Sequence, residues 1–481
     1  MQPLITPARM NLIDRAAPQP LGVLIGRAGW QVARQALAML DQQYGARVLV
    51  VVGKGNNGAD GKSAADHLAR RGVFCHVADV TDQRLWPDLV GADRYHYDLI
   101  IDAAYGTGFR GSYQLPEWLS QARWPSSGSE PQVLAVDIPS GVDGLTGATS
   151  DQVLPADCTV SFVSLKPGHV FEPGRSLAGD VKVVDIGLEP SQPVAWCLEP
   201  ADVKSWPRRN PTDHKWNRAV RVVGGAPTML GAPSLTAAGV LNSNGGYAAV
   251  SIPQWDPSIP VVGLPTESVV KHIGHRWADQ VLADLGPYSS VVVGPGLAAT
   301  DTNIHQVQAL VRQTQKPLVL DAGAIDAVAA DPTILVGRET PGVLTPHQGE
   351  LDRLSRSVGL WTSGDIDDEG KSDPITFVVR LAEKLGAVVV AKGPTTVIAG
   401  PDPSQPVLVS VAGDHRLATA GTGDVLAGII GTGLASGLAP LMAAGLAVEI
   451  HGRAARRGNT SGFVASDLPP LVAEYLSQEA Q

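Results

Sequence analysis

Short, uninterrupted apolar runs recur along the first half of this chain, and segments with a helical pattern separate them. The clearest run, at residues 46–52, is mostly valine and leucine. An apolar run without alternation is typical of a parallel strand covered on both faces of its sheet. Strands that alternate with helices form βαβ units, so the pattern predicts a doubly wound α/β sheet. It predicts strands at 46–52, 74–80, 97–104, 132–138, 158–163 and 181–186, and helices at 9–15, 28–44 and from a loop at 53–61 to residue 71.

The pattern lapses near residue 200, where prolines cluster between residues 188 and 211, and it then begins again. Prolines without regular patterning are typical of a domain boundary. We therefore expect two doubly wound α/β domains, at residues 1–200 and 205–481. The second should contain strands at 219–223, 247–252, 290–293, 318–321, 387–391, 396–399 and 407–411, with final helices at 425–436 and 440–457.

The charge balance excludes some classes of partner. A net charge of −10 and a pI near 5.5 argue against binding to nucleic acid or to an anionic membrane. Anionic ligands must then be held by local devices such as glycine turns. We expect small-molecule ligands, and neither nucleic acid nor membrane as a partner.

The cysteines and the termini indicate a cytoplasmic protein. Cys75, Cys158 and Cys197 are far apart and odd in number, which fits a reducing compartment and gives no metal-ligand spacing. Residues 1–15 lack the apolar core of a secretion signal. The uncharged segment 425–448 is long enough to span a bilayer, but its glycines and Pro440 favour two buried helices.

One stretch of the second half, Thr419-Ala-Gly-Thr-Gly-Asp-Val-Leu-Ala-Gly428, predicts a tight turn that leads directly into a helix. The unpaired N–H groups of a helix start favour an anion, and glycines let phosphate oxygens approach the backbone. Asp424 beside that anion indicates a base acting on a hydroxyl that attacks phosphorus. The alternative for a lone motif of this kind is an N-cap on an ordinary helix.

A second glycine-rich stretch, Gly53-Lys-Gly-Asn-Asn-Gly-Ala-Asp-Gly61, follows the first predicted strand. It lies at the carboxyl end of a strand, where open α/β sheets bind ligands. Its asparagines favour a ligand with phosphate and polar ring groups, although the same stretch could simply connect strand to helix. Asp60, Asp102 and Asp137 lie at or near strand ends, where they could hold a hard cation or cap turns.

Together with Asp102-x-x-x-Gly-Thr-Gly108, Val136-Asp-Ile-Pro-Ser-Gly141 and Lys166-Pro-Gly-His169, this loop resembles the epimerase domain of NAD(P)H-hydrate repair enzymes. The resemblance implies a Rossmann-like three-layer domain that interconverts the R and S forms of hydrated NADH and NADPH. It implies K⁺ at Asn57, Asp102 and Ser140, and Asp137 as the acid/base. The implied substrate contacts are Asn56, Asn57, Gly58, Ala59, Asp60, Gly106, Thr107, Gly108, Phe109, Arg110, Gly111, Ser112 and Asp137.

Further stretches of the second half accompany the Gly-Thr-Gly-Asp turn. They are Gly294-Pro-Gly296, Asp321 after a strand, Thr345-Pro-His-Gln-Gly-Glu350 and Lys392-Gly-Pro-Thr-Thr396. Lys392 could reach a phosphate, although a lysine in a strand-end turn is often only a surface residue. His347 follows a proline at a helix start, where a structural hydrogen bond is the commoner role.

Together these stretches resemble the ribokinase-like superfamily and, within it, the ADP- or ATP-dependent NAD(P)H-hydrate dehydratases. The resemblance implies a ribokinase-like three-layer domain that phosphorylates the S hydrate and eliminates phosphate, with Asp424 as the catalytic base. Mg²⁺ would accompany ADP or ATP; the residues leave the choice open, and the fusion leads us to expect ADP. The implied hydrate contacts are Ala232, Gly296, His347 and Asp424, and the nucleotide contacts are Lys392, Gly393, Pro394, Thr395, Thr396 and Gly423.

The sequence departs from these family patterns at four places. Ala59 replaces a glycine, and Ile25-Gly-Arg-Ala-Gly29, Trp216-Asn-Arg218 and Asp414-His-Arg-Leu417 replace the usual residues. A vitamin or sugar kinase and a non-catalytic nucleotide-binding regulator are the competing hypotheses. The retention of Asp137, His347, Lys392 and Asp424 argues against the regulator. We also expect a homo-oligomer, with the small-residue helices after Asp424 as a possible subunit contact.

Overall fold

The computed structural model describes residues 1–41, 43–81, 97–109, 113–123, 130–149, 152–256, 263–360 and 373–479. The chain divides into two compact units, residues 2–194 and residues 195–481 together with Met1. The division falls a few residues before the predicted end of the first domain. No described helix is long and apolar enough to cross a membrane.

The first unit is built on a parallel sheet. The strands of this unit are β1 (Gln2–Leu4), which lies outside that sheet, and β2 (Arg47–Val52), β3 (Phe74–Asp79), β4 (Leu99–Ala103), β5 (Gln132–Val136), β6 (Cys158–Phe162) and β7 (Asp180–Val184). The sheet has the order β3-β2-β4-β5-β6-β7, and each neighbouring pair is parallel. Its described α-helices are Pro7–Ala16, Leu21–Met39, Asn56–Ala69, Glu117–Arg123 and Gly174–Ala178.

Both faces of this sheet are buried, which explains why its strands are apolar without alternation. Val48, Val50 and Val52 pack in one cluster with the helices Leu21–Met39 and Asn56–Ala69. Leu49 and Val51 pack in a second cluster with the helix Glu117–Arg123. The result is the predicted layered arrangement, helices on either side of a doubly wound sheet.

The second unit contains a longer sheet. Its strands are β8 (Ala195–Cys197), β9 (Ala219–Val223), β10 (Tyr247–Pro253), β11 (Val269–Ile273), β12 (Ser290–Val293), β13 (Leu318–Leu320), β14 (Val343–Leu344), β15 (Val388–Ala391), β16 (Thr396–Ala399) and β17 (Leu408–Ser410). Their order is β8-β17-β16-β15-β14-β13-β12-β9-β10-β11. Strand β16 is antiparallel to β15 and β17, and the other pairings in this order are parallel.

Helices cover this sheet. The described α-helices are Gly231–Asn242, Trp277–Ala283, Asp301–Gln313, Gly323–Ala330, Gln348–Ser357, Pro374–Leu385, Thr422–Ala435, Pro440–Ala455 and Leu468–Gln478. The helices Gly231–Asn242 and Thr422–Ala435 pack closely through glycines, because a Cβ at Gly428 would lie 2.1 Å from the carbonyl oxygen of Thr236. The uncharged segment 425–448 therefore forms two buried helices, as predicted.

Every predicted strand is confirmed to within two residues at each end, but other boundaries differ. The predicted helix at 28–44 runs from Leu21 to Met39. The predicted loop at 53–61 was wrong in length, since its second half is the first turn of the helix Asn56–Ala69. The short strands β1, β8, β11 and β14 were not predicted, because strands of two to five residues show no hydrophobic periodicity that the sequence pattern can identify.

Candidate active sites

The first candidate site is a cavity at the carboxyl ends of β2 and β4. The strand order reverses between these two strands, which is where open α/β sheets bind ligands. The cavity has a volume of about 500 Å³. It is lined by Met10, Asn11, Asp14, Gln19, Leu21, Leu24, Ile25, Ala28, Gly55, Asn56, Asn57, Asp60, Ala104, Tyr105, Gly106, Thr107, Gly108, Phe109, Asp137, Phe162, Lys166 and Ile186.

Two glycines shape the turn that leads into this cavity. A Cβ at Gly53 would lie 2.0 Å from the carbonyl oxygen of Ala104, and a Cβ at Gly58 would lie 2.0 Å from that of Gly53. Backbone therefore packs on backbone here, and no larger residue fits. The turn brings the start of the helix Asn56–Ala69 to the end of β4.

Asp137 is paired with a buried lysine. The Nζ of Lys166 lies 2.5 Å from the Oδ1 of Asp137, and the Thr107 hydroxyl donates to Oδ2 over 3.0 Å. Burial raises the pKa of Asp137, but the Lys166 ammonium and its hydrogen bond outweigh burial, so the pKa lies below its usual range. Asp137 is thus an ionised carboxylate. Its backbone has a φ of 65°, a conformation that residues other than glycine rarely adopt.

His169 fixes the loop that carries Lys166. Its Nδ1 accepts from the backbone N–H of Lys166 over 3.1 Å, and its Nε2 donates to the carbonyl oxygen of Asp137 over 2.8 Å. Burial, assisted by the nearby ammonium, lowers the pKa of His169 to about 4. His169 is therefore a neutral imidazole that ties the two loops together.

A second carboxyl group of the cavity has the opposite electrostatic environment. Burial, together with the carboxylates of Asp137 and Asp14, raises the pKa of Asp60 to about 8. Burial and Asp137 also raise the pKa of Asp14, which lies on the helix Pro7–Ala16. The cavity therefore combines an ionised carboxylate with a carboxyl group that retains its proton near neutral pH.

The predicted cation ligands are adjacent to this cavity. Asp102 is fully buried on β4, and it accepts from the N–H (2.9 Å) and the hydroxyl (2.7 Å) of Ser140. Burial raises the pKa of Asp102, and no described basic side chain forms an ion pair with it. The third predicted ligand, Asn57, lies next to Gly106, since a Cβ at Gly106 would lie 3.2 Å from the Oδ1 of Asn57. A buried carboxylate surrounded by neutral donors is a suitable partner for a monovalent cation.

The structure gathers most predicted residues of this site on one cavity, with Gly58 and Ala59 in the adjacent helical turn. Arg110, Gly111 and Ser112 lie outside the described residues. Sequence reasoning gave no role to Asp14 or Lys166. Lys166 follows β6 directly, but a single lysine after a strand carries no signal of its own.

The second candidate site is the start of the helix Thr422–Ala435. Gly421 is its N-cap with a φ of 95°, so the Gly-Thr-Gly-Asp turn and the helix start are as predicted. The Thr422 hydroxyl donates to the carbonyl oxygens of Leu417 and Thr419, each over 2.9 Å. The Nε2 of buried His451 lies 2.8 Å from the carbonyl oxygen of Thr422. These bonds fix a helix start whose unpaired N–H groups can bind an anion.

Charged side chains surround Asp424 in this turn. Burial, followed by the Asp321 and Glu350 carboxylates and opposed by Lys392, raises the pKa of Asp424 to about 7. The Nζ of Lys392 lies 3.3 Å from the Oδ1 of Asp321, which also accepts from the Thr345 hydroxyl over 2.7 Å. A carboxyl group with a pKa near 7 is suited to general-base catalysis at neutral pH.

The other predicted residues of this site lie around the same sheet edge. A Cβ at Gly423 would lie 3.3 Å from the Nζ of Lys392, so the lysine reaches the glycine turn. A Cβ at Gly296 would lie 2.9 Å from the Cβ of Ala232, which places these two predicted hydrate contacts together. The backbone N–H of Lys392 donates to the carbonyl oxygen of Pro346, next to His347. Gly393, Pro394 and Thr395 continue the turn between β15 and β16, and Thr396 begins β16.

His347 is the N-cap of the helix Gln348–Ser357, as its position after a proline suggested. Its Nδ1 accepts from the N–H of Gly349 over 3.1 Å, and Glu350 accepts from the backbone N–H of His347 over 2.9 Å. The His347 side chain is 62% exposed, so it remains accessible to a ligand. Burial raises the pKa of Glu350, a charged neighbour that sequence reasoning left without a role.

One expectation about this region is wrong. The helix Thr422–Ala435 is buried from Val425 to Ala435 within its own unit, and the next helix, Pro440–Ala455, is buried along most of its length. These surfaces are used inside the unit and are not available for a subunit contact. The homo-oligomer stays a prediction without that support.

These features define an α/β protein of two compact units, with a cavity lined by carboxyl groups in one unit and a glycine-lined helix start beside Asp424 and Lys392 in the other. Residues 220–478 match the family described as NAD(P)H-hydrate dehydratase, and residues 21–90 and 75–168 match the family described as YjeF-related protein N-terminus. The chain belongs to the family of bifunctional NAD(P)H-hydrate repair enzymes, which confirms the predicted resemblance.

Similar proteins support this assignment over nearly the whole chain. The bifunctional NAD(P)H-hydrate repair enzyme Nnr of Moorella thermoacetica is 32% identical over 99% of this chain and 98% of that protein. The protein of the same name from Escherichia coli is 30% identical, covering 97% and 92%. A ribokinase-like superfamily protein from Enterococcus faecalis superposes with a TM-score of 0.50 at 23% identity, covering 60% of this chain and 96% of that chain. That similarity shows the ribokinase-like fold.

Proposed function

We propose that this chain repairs hydrated NADH and NADPH in two steps. The first unit interconverts the R and S hydrates, and the second unit dehydrates the S hydrate at the expense of ADP or ATP. The observation that carries the proposal is the position of Asp424, at a glycine-lined helix start beside Lys392 and with a pKa of about 7. Family membership supplies the substrate class.

The dehydration begins with a phosphoryl transfer. The hydrate carries a hydroxyl on the ring carbon next to nitrogen, and hydroxide is a poor leaving group. Asp424 accepts the proton of that hydroxyl while its oxygen attacks the terminal phosphorus of the nucleotide. The backbone N–H groups of Gly421 and Gly423 stabilise the charge on the transferring phosphoryl group, while the N–H of Thr422 donates to Thr419, and Lys392 contacts the nucleotide phosphates.

The second half of the reaction is the elimination of phosphate, which the ring nitrogen of the substrate drives. The lone pair of the ring nitrogen expels inorganic phosphate, which leaves with the C–O bonding electrons. Loss of a proton from the adjacent carbon then restores the ring double bond. The products are NADH or NADPH, phosphate, and AMP from ADP or ADP from ATP. Ala232, Gly296 and His347 are the proposed contacts of the hydrate in this site.

The residues present fit the expected metal ions. No group of three described His, Cys, Asp or Glu side chains is placed to hold a metal ion. In the second unit, Mg²⁺ would accompany the nucleotide that Lys392 and the glycine turn would contact, and it would offset the charge of the phosphates. In the first unit, Asp102, Ser140 and Asn57 would hold K⁺, because the buried Asp102 carboxylate has only neutral partners among the described residues.

One assay tests the whole proposal. The protein is mixed with an R and S mixture of hydrated NADH and with ADP or ATP, and the absorbance of NADH is followed. Recovery beyond the S fraction is expected, because the first unit converts R into S. Accumulation of a stable phosphorylated product would instead indicate a kinase. No recovery with either nucleotide would contradict the proposed function.

Two further points remain part of the proposal. A cytoplasmic location is supported by the three cysteines, Cys75, Cys158 and Cys197, none of which forms a disulfide. The expected homo-oligomer can be tested by sedimentation of the full chain.

A further inference from the structure

The cavity of the first unit contains one lysine among three carboxyl groups. Lys166, Asp14, Asp60 and Asp137 all line it. An epimerisation that removes and returns a hydroxyl needs a proton donor and a proton acceptor. The arrangement of these four side chains distinguishes their roles. The following inference rests on the proposed epimerase function of this unit.

All three N–H groups of the Lys166 ammonium have protein acceptors. They are the Oδ1 of Asp137 at 2.5 Å, the hydroxyl oxygen of Ser161 at 2.9 Å and the carbonyl oxygen of Phe162 at 2.9 Å. The side chain is only 1% exposed. No donor of this ammonium is left for a substrate. Lys166 therefore acts through Asp137, as a positioning residue that holds the carboxylate ionised and in place.

Asp60 has no such support. It is 8% exposed on the helix Asn56–Ala69 and forms no ion pair with any described basic side chain. The charged groups that face it from the neighbouring elements are the carboxylates of Asp14 and Asp137. Asp137 in turn faces Lys166, His169, Asp60 and Asp14. Burial beside two carboxylates favours the neutral, protonated form of Asp60.

We propose that the two carboxyl groups divide the proton transfers of the epimerisation, with Asp60 as the proton donor, Asp137 as the proton acceptor, and Lys166 as the residue that positions Asp137. Both carboxyl groups line the same cavity, on different elements of the unit. Neither Asp60 nor Lys166 is marked for such a role by its sequence motif.

The proposed epimerisation conserves atoms, protons and electrons. The C–O bond of the hydrate breaks, the proton of Asp60 goes to the departing oxygen, and water forms. The lone pair of the ring nitrogen supplies the new C=N bond of an iminium ion. Water then adds to the other face of that carbon, and its proton goes to Asp137. The result is the opposite epimer, ionised Asp60 and protonated Asp137; exchange with solvent resets both groups.

The test measures the rate at which purified R hydrate becomes S hydrate, using the full chain without ADP or ATP, by chromatography across pH. The wild-type rate should decline above about pH 8, as Asp60 loses its proton, and at acidic pH, as Asp137 gains one. Asp60→Asn should lower the rate by about 100-fold or more and remove the alkaline decline. Asp137→Asn should lower it comparably and remove the acidic decline.

Variants of Lys166 distinguish a residue that positions Asp137 from one that only stabilises the fold. Lys166→Met should shift the acidic decline towards neutral pH, because Asp137 loses its ammonium partner, whereas Lys166→Arg should restore part of the wild-type profile. The matched control is Asp66→Asn, which makes the same change on the exposed face of the same helix and should leave rate and profile unchanged.

Two results would contradict the inference in different ways. A wild-type protein that does not interconvert the hydrates contradicts the proposed function of the unit, and with it this assignment. A wild-type protein that does so without an alkaline decline, or an Asp60→Asn variant that keeps both rate and decline, contradicts the division of roles alone. The wild-type profile requires no variant to fold, so the inference stays testable even if a substitution unfolds the unit.

Discussion

In the first unit the Asp137 carboxylate lies 2.5 Å from an ammonium, whereas in the second unit the nearby ammonium, Lys392, is bonded to Asp321 and not to Asp424. The pKa of Asp137 is lowered as a result, while that of Asp424 is raised to about 7. One chain thus tunes two buried aspartates in opposite directions. Burial is the largest influence on both pKa values; the Lys166 ammonium and its hydrogen bond reverse the direction at Asp137, whereas Lys392 only opposes the rise at Asp424.

The difference corresponds to two kinds of chemistry. An Asp137 that is ionised at the start of the reaction needs a separate proton donor, and Asp60 lies on the same cavity. In the proposed dehydration Asp424 takes up a single proton from an alcohol, and a base with a pKa near the working pH does this best. Leaving Lys392 on Asp321 also keeps the ammonium beside the glycine turn, where phosphate would bind.

The largest expected effect is that of removing the base. Asp424→Asn should lower the rate of ATP- or ADP-dependent NADH recovery by about 1000-fold, because the hydroxyl proton has no acceptor. Interconversion of R and S hydrate should be unchanged. The matched control is Asp301→Asn, an exposed aspartate in the first turn of another helix of the same unit, which should have no effect. Full NADH recovery by Asp424→Asn would refute its role.

A smaller effect on dehydration is expected when Lys392 of the second unit is replaced. Lys392→Met should raise the KM for the nucleotide by about 10- to 100-fold, the range expected for loss of a hydrogen bond to a charged group. Steady-state kinetics with varied nucleotide and fixed S hydrate measure it. Lys384→Met, on the helix Pro374–Leu385, serves as control. An unchanged KM would place the phosphates away from Lys392.

The pH dependence of dehydration should be the next smaller effect. The base form of Asp424 predominates above its pKa of about 7, so the rate should rise about tenfold between pH 6 and pH 8 and then level off. The epimerisation should instead decline above about pH 8. Measuring both rates in one buffer series compares the two sites directly. Parallel profiles would contradict the opposite tuning of the two aspartates.

The smallest expected effect is on the free energy of unfolding, and it concerns glycines of the two turns. A Cβ at Gly58 would meet backbone at 2.0 Å, so Gly58→Ala should destabilise the first unit by about 1–3 kcal/mol. A Cβ at Gly423 would meet only the flexible end of Lys392 at 3.3 Å, so Gly423→Ala should leave stability nearly unchanged. Denaturant unfolding measures both. Gly55→Ala, with open space around its Cβ position, is the control.

Contiguous motifs carried most of what the sequence predicted. The Gly-Thr-Gly-Asp turn, Lys392 after β15 and Asp137 after β5 could be placed because strand ends meet at one edge of a parallel sheet. The pairing of Lys166 with Asp137 could not be predicted, since it depends on side-chain rotamers across two loops. The helix start at Asn56 was also missed. Gly58 and Gly61 are poor helix formers, but a Cβ at either position would clash with backbone or with Ala103.

The burial of the helix Thr422–Ala435 has a consequence for how variants of this protein should be interpreted. Asp424 lies, partly buried, in the first turn of a helix whose remaining turns are buried against β-strands and other helices. A Cβ at Gly431 would press on Val292 at 2.6 Å, and one at Gly433 on Trp206 at 3.0 Å. A bulky substitution two or three turns away would displace the whole helix, including the first turn that carries Asp424. Loss of turnover in such a variant would reflect displacement of a carboxylate that was never itself altered.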